Sequence, residues 1–110
     1  MSEKIPKQGE IWLADFNRKK EKDGFKIRLV LILSNNWQNQ YSRYTVIAPL
    51  TSDEEELKNV AAFEVLIEVN EKNGLDRKSK ILFHRLRVIN KDLRLIERKG
   101  QIDSKNWSQG

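Results

Sequence analysis

The sequence predicts a mainly β (α+β) fold, a small barrel or sandwich of five or more short strands. Three observations predict it. Short apolar runs recur along the chain, bounded by Gly, Asn, Asp or Pro, with turn signals about every 8 to 12 residues, the rhythm of small all-β domains. Phe63, Val65 and Ile67 recur at every second position of residues 62–69, with Glu64 and Glu68 on the alternate positions, a period of two that suits a half-buried strand. Little of the chain carries the three-and-four spacing of an amphipathic helix.

The elements follow in order. Residues 1–8 are polar and expected to be loose. Residues 9–16 read as a first strand, with Ile11, Leu13 and Trp12 packing inward. Residues 17–26 hold five basic and two acidic side chains and the Asp23-Gly24 turn signal, so they form a long connection suited to a lid or to a plain solvated loop. Residues 27–36 read Ile-Arg-Leu-Val-Leu-Ile-Leu-Ser-Asn-Asn. Five consecutive aliphatic side chains closed by Asn-Asn are what a strand buried on both faces looks like. Arg28 does not fit that core. A guanidinium stays charged and is costly to bury unpaired, so it must reach solvent, a carboxylate or an anionic ligand.

Residues 37–43 suggest one helical turn, 44–50 a third strand closed by Pro49, and 53–59 an acidic connection. Residues 62–69 form a fourth strand with Phe63, Val65 and Ile67 on one face and Glu64 and Glu68 on the other. After a turn at 70–74, residues 79–89 read as a fifth strand that bends near His84. Residues 93–97 suggest a helical turn, and 100–102 a last short strand. A few residues then remain for a capped, truncated helix.

At 110 residues the chain is expected to be one domain spanning 1–110. It has no cysteine and a single histidine, which excludes disulfides and argues against a structural zinc site. No apolar stretch approaches the roughly 20 residues of a membrane span, and the first residues lack the apolar core of a signal peptide. A cytoplasmic protein is the expectation. The net charge is +5 and unevenly spread: residues 53–76 hold eight acidic side chains against Lys58 and Lys72, and residues 77–105 hold ten basic ones against Asp92, Glu97 and Asp103. The basic stretch suits a phosphate-attracting face, or serves only to keep a small domain soluble.

The order of landmarks resembles the PemK/MazF family of toxin endoribonucleases. Gly-Glu-Ile-Trp-Leu-Ala-Asp-Phe at 9–16 is similar to that family's first strand, and 28–35 to its Arg-Pro-Val-aliphatic-Ser-Asn segment. Ile-Ala-Pro-Leu-Thr-Ser at 47–52 resembles its Pro-aliphatic-Thr-Ser strand end, 74–79 its Gly-Leu-x-x-x-Ser turn, and 87–91 its Arg-Thr-Ile-Asp-Lys run. The likeness covers residues 7 to 104. It implies an SH3-like barrel, a homodimer, an acidic antitoxin partner, and cleavage of single-stranded RNA such as mRNA with no metal or other cofactor. The reaction it implies is attack of a ribose 2′-hydroxyl on the adjacent phosphate, giving a cyclic phosphate and a 5′-hydroxyl.

Carried over position by position, the resemblance makes Arg28 and Thr51 catalytic, Arg28 stabilising the phosphorane and Thr51 hydrogen-bonding a phosphate oxygen. His84 stands where the family often has an acidic residue. It could serve as a base near neutral pH, or as a structural histidine at a strand bend. Ser34, Asn35, Ser52 and Arg85 are matched to the RNA groove, with Lys20, Lys22 and Lys26 in the lid. Leu29 replaces the proline that follows the family's arginine, and the chain stops at Gly110, short of the longer helix of relatives. Two further readings stay open on the same fold: a catalytically lapsed RNA-binding module, and a protein-binding toxin resembling the gyrase poisons.

Overall fold

The computed structural model describes residues 4–16, 27–60 and 64–102. They form β1 (Glu10–Asp15), β2 (Ile27–Ile32), α1 (Asn36–Tyr41), β3 (Tyr44–Thr51), α2 (Glu54–Leu57), β4 (Glu64–Ile67), β5 (Ser79–Leu82), a 3-10 turn (Phe83–Arg85), β6 (Arg87–Asn90), α3 (Lys91–Arg94) and β7 (Leu95–Gln101). The expected mainly β class with short helical turns is what the chain adopts. The truncated C-terminal helix falls outside the described residues.

All strand pairings are antiparallel, in the order β4-β5-β3-β2-β1-β7, with β6 also beside β3. One edge of β3 carries β2. Its other edge is shared: Leu50 and Thr51 pair with β5, and residues 44–47 pair with β6. The bend expected near His84 is the 3-10 turn between those two strands. It lets one run of chain leave β5 and rejoin β3 further along. No ladder joins β4 to β7 among the described residues, so the sheet curls as an SH3-like barrel does without closing.

The turn at 70–74 covers part of that gap. Gln101 donates its backbone N–H to Lys72 O at 2.9 Å. The fit depends on glycine on both sides: a Cβ on Gly74, whose φ is +69°, would meet Lys99 O at 2.0 Å, and one on Gly100 would meet Lys72 O at 2.4 Å. Neither backbone has room to yield.

The run at 29–33 is buried on both faces, as its composition requires. Leu31 packs with Ile11, Ala48, Leu50 and Ile81, whereas Val30 and Ile32 pack with Trp12, Ala14, Ile47 and Leu95. Truncating a residue such as Leu31, fully buried, removes about 2–5 kcal/mol. Trp12 is core, as expected, and its Nε1 donates to Glu10 Oε1 at 2.9 Å. Burial alone raises the Glu10 pKa. The hydrogen bonds from Trp12 and the Lys7 amide, with the Arg98 guanidinium at 2.7 Å, outweigh it and hold the carboxyl below its ordinary value.

Three expectations need correction. Residues 4–8 are packed rather than loose: Pro6 is fully buried, and Gln8 Nε2 donates to Leu33 O at 2.8 Å. On β4 burial does not follow the apolar face. Val65 is 40% exposed, while the Glu64 side chain is 9% exposed because it pairs with buried Lys80 at 2.8 Å; Phe63 lies outside the described residues. The last strand is seven residues, not three. At the outer edge of the sheet, β7 carries Glu97, Arg98 and Lys99 outward, and charged edge strands do not read as strands.

Candidate active site

Two polar positions meet where β2 and β3 part. The β2–β3 register pairs Val30 with Pro49 and Leu31 with Ala48; carried two residues on, it sets Arg28 across from Thr51. Paired positions point to the same face of a sheet, and neighbouring strands lie about 4.8 Å apart. Past Val30, however, β2 pairs only with β1 and β3 turns to β5, where Thr51 faces Lys80. The divergence opens a cleft of about 740 Å³ lined by Arg28, Thr51, Ser52, Asp53, Glu54, Arg77 and Ser79, with Leu13, Ile27, Leu29 and Leu50 as its apolar surface.

Arg28 is exposed, and among the described residues its guanidinium has no hydrogen-bond or ion-pair partner. Its backbone is fixed by pairing with Ala14, which is fully buried. A rigid strand thus presents a permanent cation to the cleft. Thr51 is partly buried, and its Oγ1 accepts the Asp53 N–H at 3.3 Å. That contact uses an acceptor lone pair and leaves the hydroxyl proton to be donated. The cleft therefore combines a fixed guanidinium, a hydroxyl donor and, at the start of α2, the carboxylates of Asp53 and Glu54. Such a set suits a phosphodiester: donors for developing negative charge, and a carboxylate to accept a proton.

The structure brings together Arg28, Thr51 and Ser52 of the residues expected from sequence. His84 and Arg85 sit in the 3-10 turn and do not line this cleft. Thr51 pairs with Lys80, and His84 lies four residues further on, on the order of 10 Å away. His84 Nδ1 instead stands 3.7 Å from Glu64 Oε2.

Ser34 and Asn35 are not in the cleft either. Ser34, 8% exposed, donates to Asn39 Oδ1 at 2.5 Å and accepts the Val46 N–H at 3.0 Å; Asn35 caps α1 by accepting the Gln38 N–H at 2.8 Å. Lys20, Lys22 and Lys26 lie outside the described residues. Asp53, Glu54, Arg77 and Ser79 line the cleft without having been expected there. The only sequence signal for the first two was their place directly after Thr-Ser. Among the described residues, no cluster of three or more His, Asp or Glu side chains is arranged to hold a metal ion.

Residues 7–109 match a family described as PemK-like, MazF-like toxin of type II toxin-antitoxin system. No curated protein matches the sequence. Among solved structures, the chain is similar to an endoribonuclease from a mycobacterial species in complex with its cognate antitoxin, at 17% identity and TM-score 0.67 over 96% of this chain and 84% of that one. It is similar also to MazF from Deinococcus radiodurans, at 18% identity and TM-score 0.71 over 94% and 86%. A MazE-MazF structure from the same organism gives 18% and 0.69 over 94% and 85%. At these identities the likeness is one of fold.

Proposed function

The chain belongs to the PemK-like, MazF-like toxins of type II toxin-antitoxin systems, and on that premise we propose that it is a sequence-selective endoribonuclease that cuts single-stranded RNA without a metal ion. The observation that carries this reading is the shared cleft of Arg28 and Thr51. A carboxylate takes the 2′-hydroxyl proton, and the oxygen attacks the neighbouring phosphate. Charge builds on the phosphorane oxygens, where the Arg28 guanidinium and the Thr51 hydroxyl receive it. The P–O5′ bond then breaks and the 5′-oxygen takes a proton from solvent, giving a cyclic phosphate and a 5′-hydroxyl.

The base is assigned to Asp53 or Glu54, which line the cleft, in preference to His84, which does not. Of the positions matched to the groove, Ser52 lines the cleft, where it would meet an unstacked base.

Mycobacterial and Deinococcus structures of this fold contain an antitoxin. An acidic antitoxin would be drawn to the basic C-terminal stretch and compete with RNA. A homodimer is supported by Val88 and Leu93, which rim one small depression beside Phe16 and are 59% and 73% exposed. Val88→Asp should yield a monomer by light scattering if that rim is the contact.

The deciding experiment is a defined single-stranded RNA in excess EDTA with wild type and Arg28→Ala side by side. Cutting that resists EDTA and disappears in the variant supports the nuclease. Binding without cutting supports an RNA-binding module, a reading favoured by the distance of His84 from the cleft. Neither binding nor cutting contradicts both.

A further inference from the structure

We infer that Arg77 binds a second phosphate of the RNA, beside the one held by Arg28; this deepens the functional reading above and rests on it. Arg77 lines the same cleft as Arg28 and Thr51, but from the other side of Thr51. Arg28 comes from the start of β2 and Arg77 from the turn entering β5, with β3 between them. At least two interstrand spacings separate those chain segments, about 10 Å, and more where β2 has left β3. Extended straight from their backbones, two cationic side chains that far apart reach separate phosphates more readily than one. They can each take one of two successive phosphates. The 740 Å³ of the cleft is likewise far more than one phosphate fills.

The guanidinium is available and its base is held. Arg77 is exposed, and among the described residues its side chain has no hydrogen-bond or ion-pair partner. Its backbone is pinned on both sides. Ser79, 2% exposed, donates its hydroxyl to Arg77 O at 3.0 Å, and buried Leu75 donates its N–H to Asn73 Oδ1 at 3.0 Å. Asn73 is itself fully buried and donates to Glu68 O at 2.8 Å. A cation on so short and anchored a segment loses little freedom when it meets its ligand. The fixed turn also makes the contact directional. RNA lying from Arg28 to Arg77 crosses Thr51, which sets the strand across the hydroxyl that serves the reacting phosphate.

The test uses the full chain and a mixed-sequence RNA fully 2′-O-methylated, which cannot be cut, with Kd measured by anisotropy over a series of salt concentrations. Arg77→Ala should raise Kd about tenfold, the size of one charge-assisted hydrogen bond. It should also flatten the dependence of log Kd on log salt by about 0.7, the increment of one phosphate on a single strand. Arg77→Lys should keep the wild-type salt slope, since the point charge remains, and both variants should melt as wild type does. Unchanged Kd and slope in Arg77→Ala overturn the inference, as does a loss that Arg77→Lys does not restore. Unmodified RNA is assayed in parallel for cutting. Binding with the expected slopes but no cutting sinks the nuclease reading and leaves Arg77 as a phosphate contact. No binding by wild type sinks both.

Discussion

The two ends of β2 both carry polar clusters, and they are put to opposite uses. Beyond its last residue, Ser34, Asn39 and Thr45 form a closed set. Thr45 donates to Asn39 Oδ1 at 2.8 Å, and Asn39 Nδ2 donates to Ser34 O at 2.9 Å. Lys91, 5% exposed, donates its ammonium to Asn39 O at the end of α1. No buried side-chain nitrogen or oxygen among the described residues lacks a partner. At the other end, Arg28 stands at an open cleft with no partner among the described residues. Residue type does not separate the two ends. What separates them is whether the hydrogen-bonding capacity is spent inside the fold or kept for a ligand. The first end is paired because it is buried; the second is unpaired because β2 and β3 diverge there.

That contrast can be broken most sharply by crossing variants from the two ends. Arg28→Ala should lower kcat about 100- to 1000-fold and shift Tm by no more than about 4 °C. Asn39→Ala should do the reverse. It removes the acceptor both hydroxyls share and the donor to Ser34 O, leaving the Ser34–Thr45 pair one partner short in the interior, and costs about 1–3 kcal/mol, while activity per folded molecule at low temperature stays near wild type. Equal loss of activity in both variants would show that the α1 network belongs to the site.

A third variant sharpens the rule on the strand beside the cleft. Lys80, opposite Thr51 and 3% exposed, has Glu64 Oε1 at 2.8 Å and Asn59 O at 3.0 Å. Lys80→Met alone should destabilise by about 3–5 kcal/mol, because it takes the ammonium away from the buried Glu64 carboxylate, whereas Lys80→Met with Glu64→Leu should recover most of that in urea unfolding. The smallest effect concerns Glu10. Its folded pKa lies below the ordinary 4.5, so its contribution is complete above that value and is lost as pH falls through the lower folded value. Glu10→Gln should therefore show a shallower fall in stability between pH 5 and pH 3 (about that range) than wild type shows.

The parts of this molecule legible in the sequence are those set by local pattern. The aliphatic run at 29–33 announced a strand buried on both faces, Trp12 a core residue, and 79–89 a strand bent near His84. Arg28 stood out because a permanent charge interrupts an otherwise core-like segment, and Thr51 because of the landmarks around it. What was not legible depends on partners distant along the chain. Ser34 looked like a groove residue because nothing in 28–35 reveals that Asn39 and Val46 take its hydroxyl. Glu64 looked solvated because Lys80, sixteen residues later, is what allows it to be buried. Arg77 falls among the three unspecified positions of Gly-Leu-x-x-x-Ser, so only the path of β5 beside β3 brings it to the cleft.

The central claim is that the Arg28 guanidinium and the Thr51 hydroxyl act on one phosphate. A double-mutant cycle of Arg28→Ala and Thr51→Val on the cleavage rate of a single defined RNA tests it directly. Groups serving the same phosphorane should give a double variant that is far less than multiplicatively impaired, with a shortfall of at least about tenfold. Losses that multiply cleanly would mean two groups working independently, and the shared-phosphate account would be wrong.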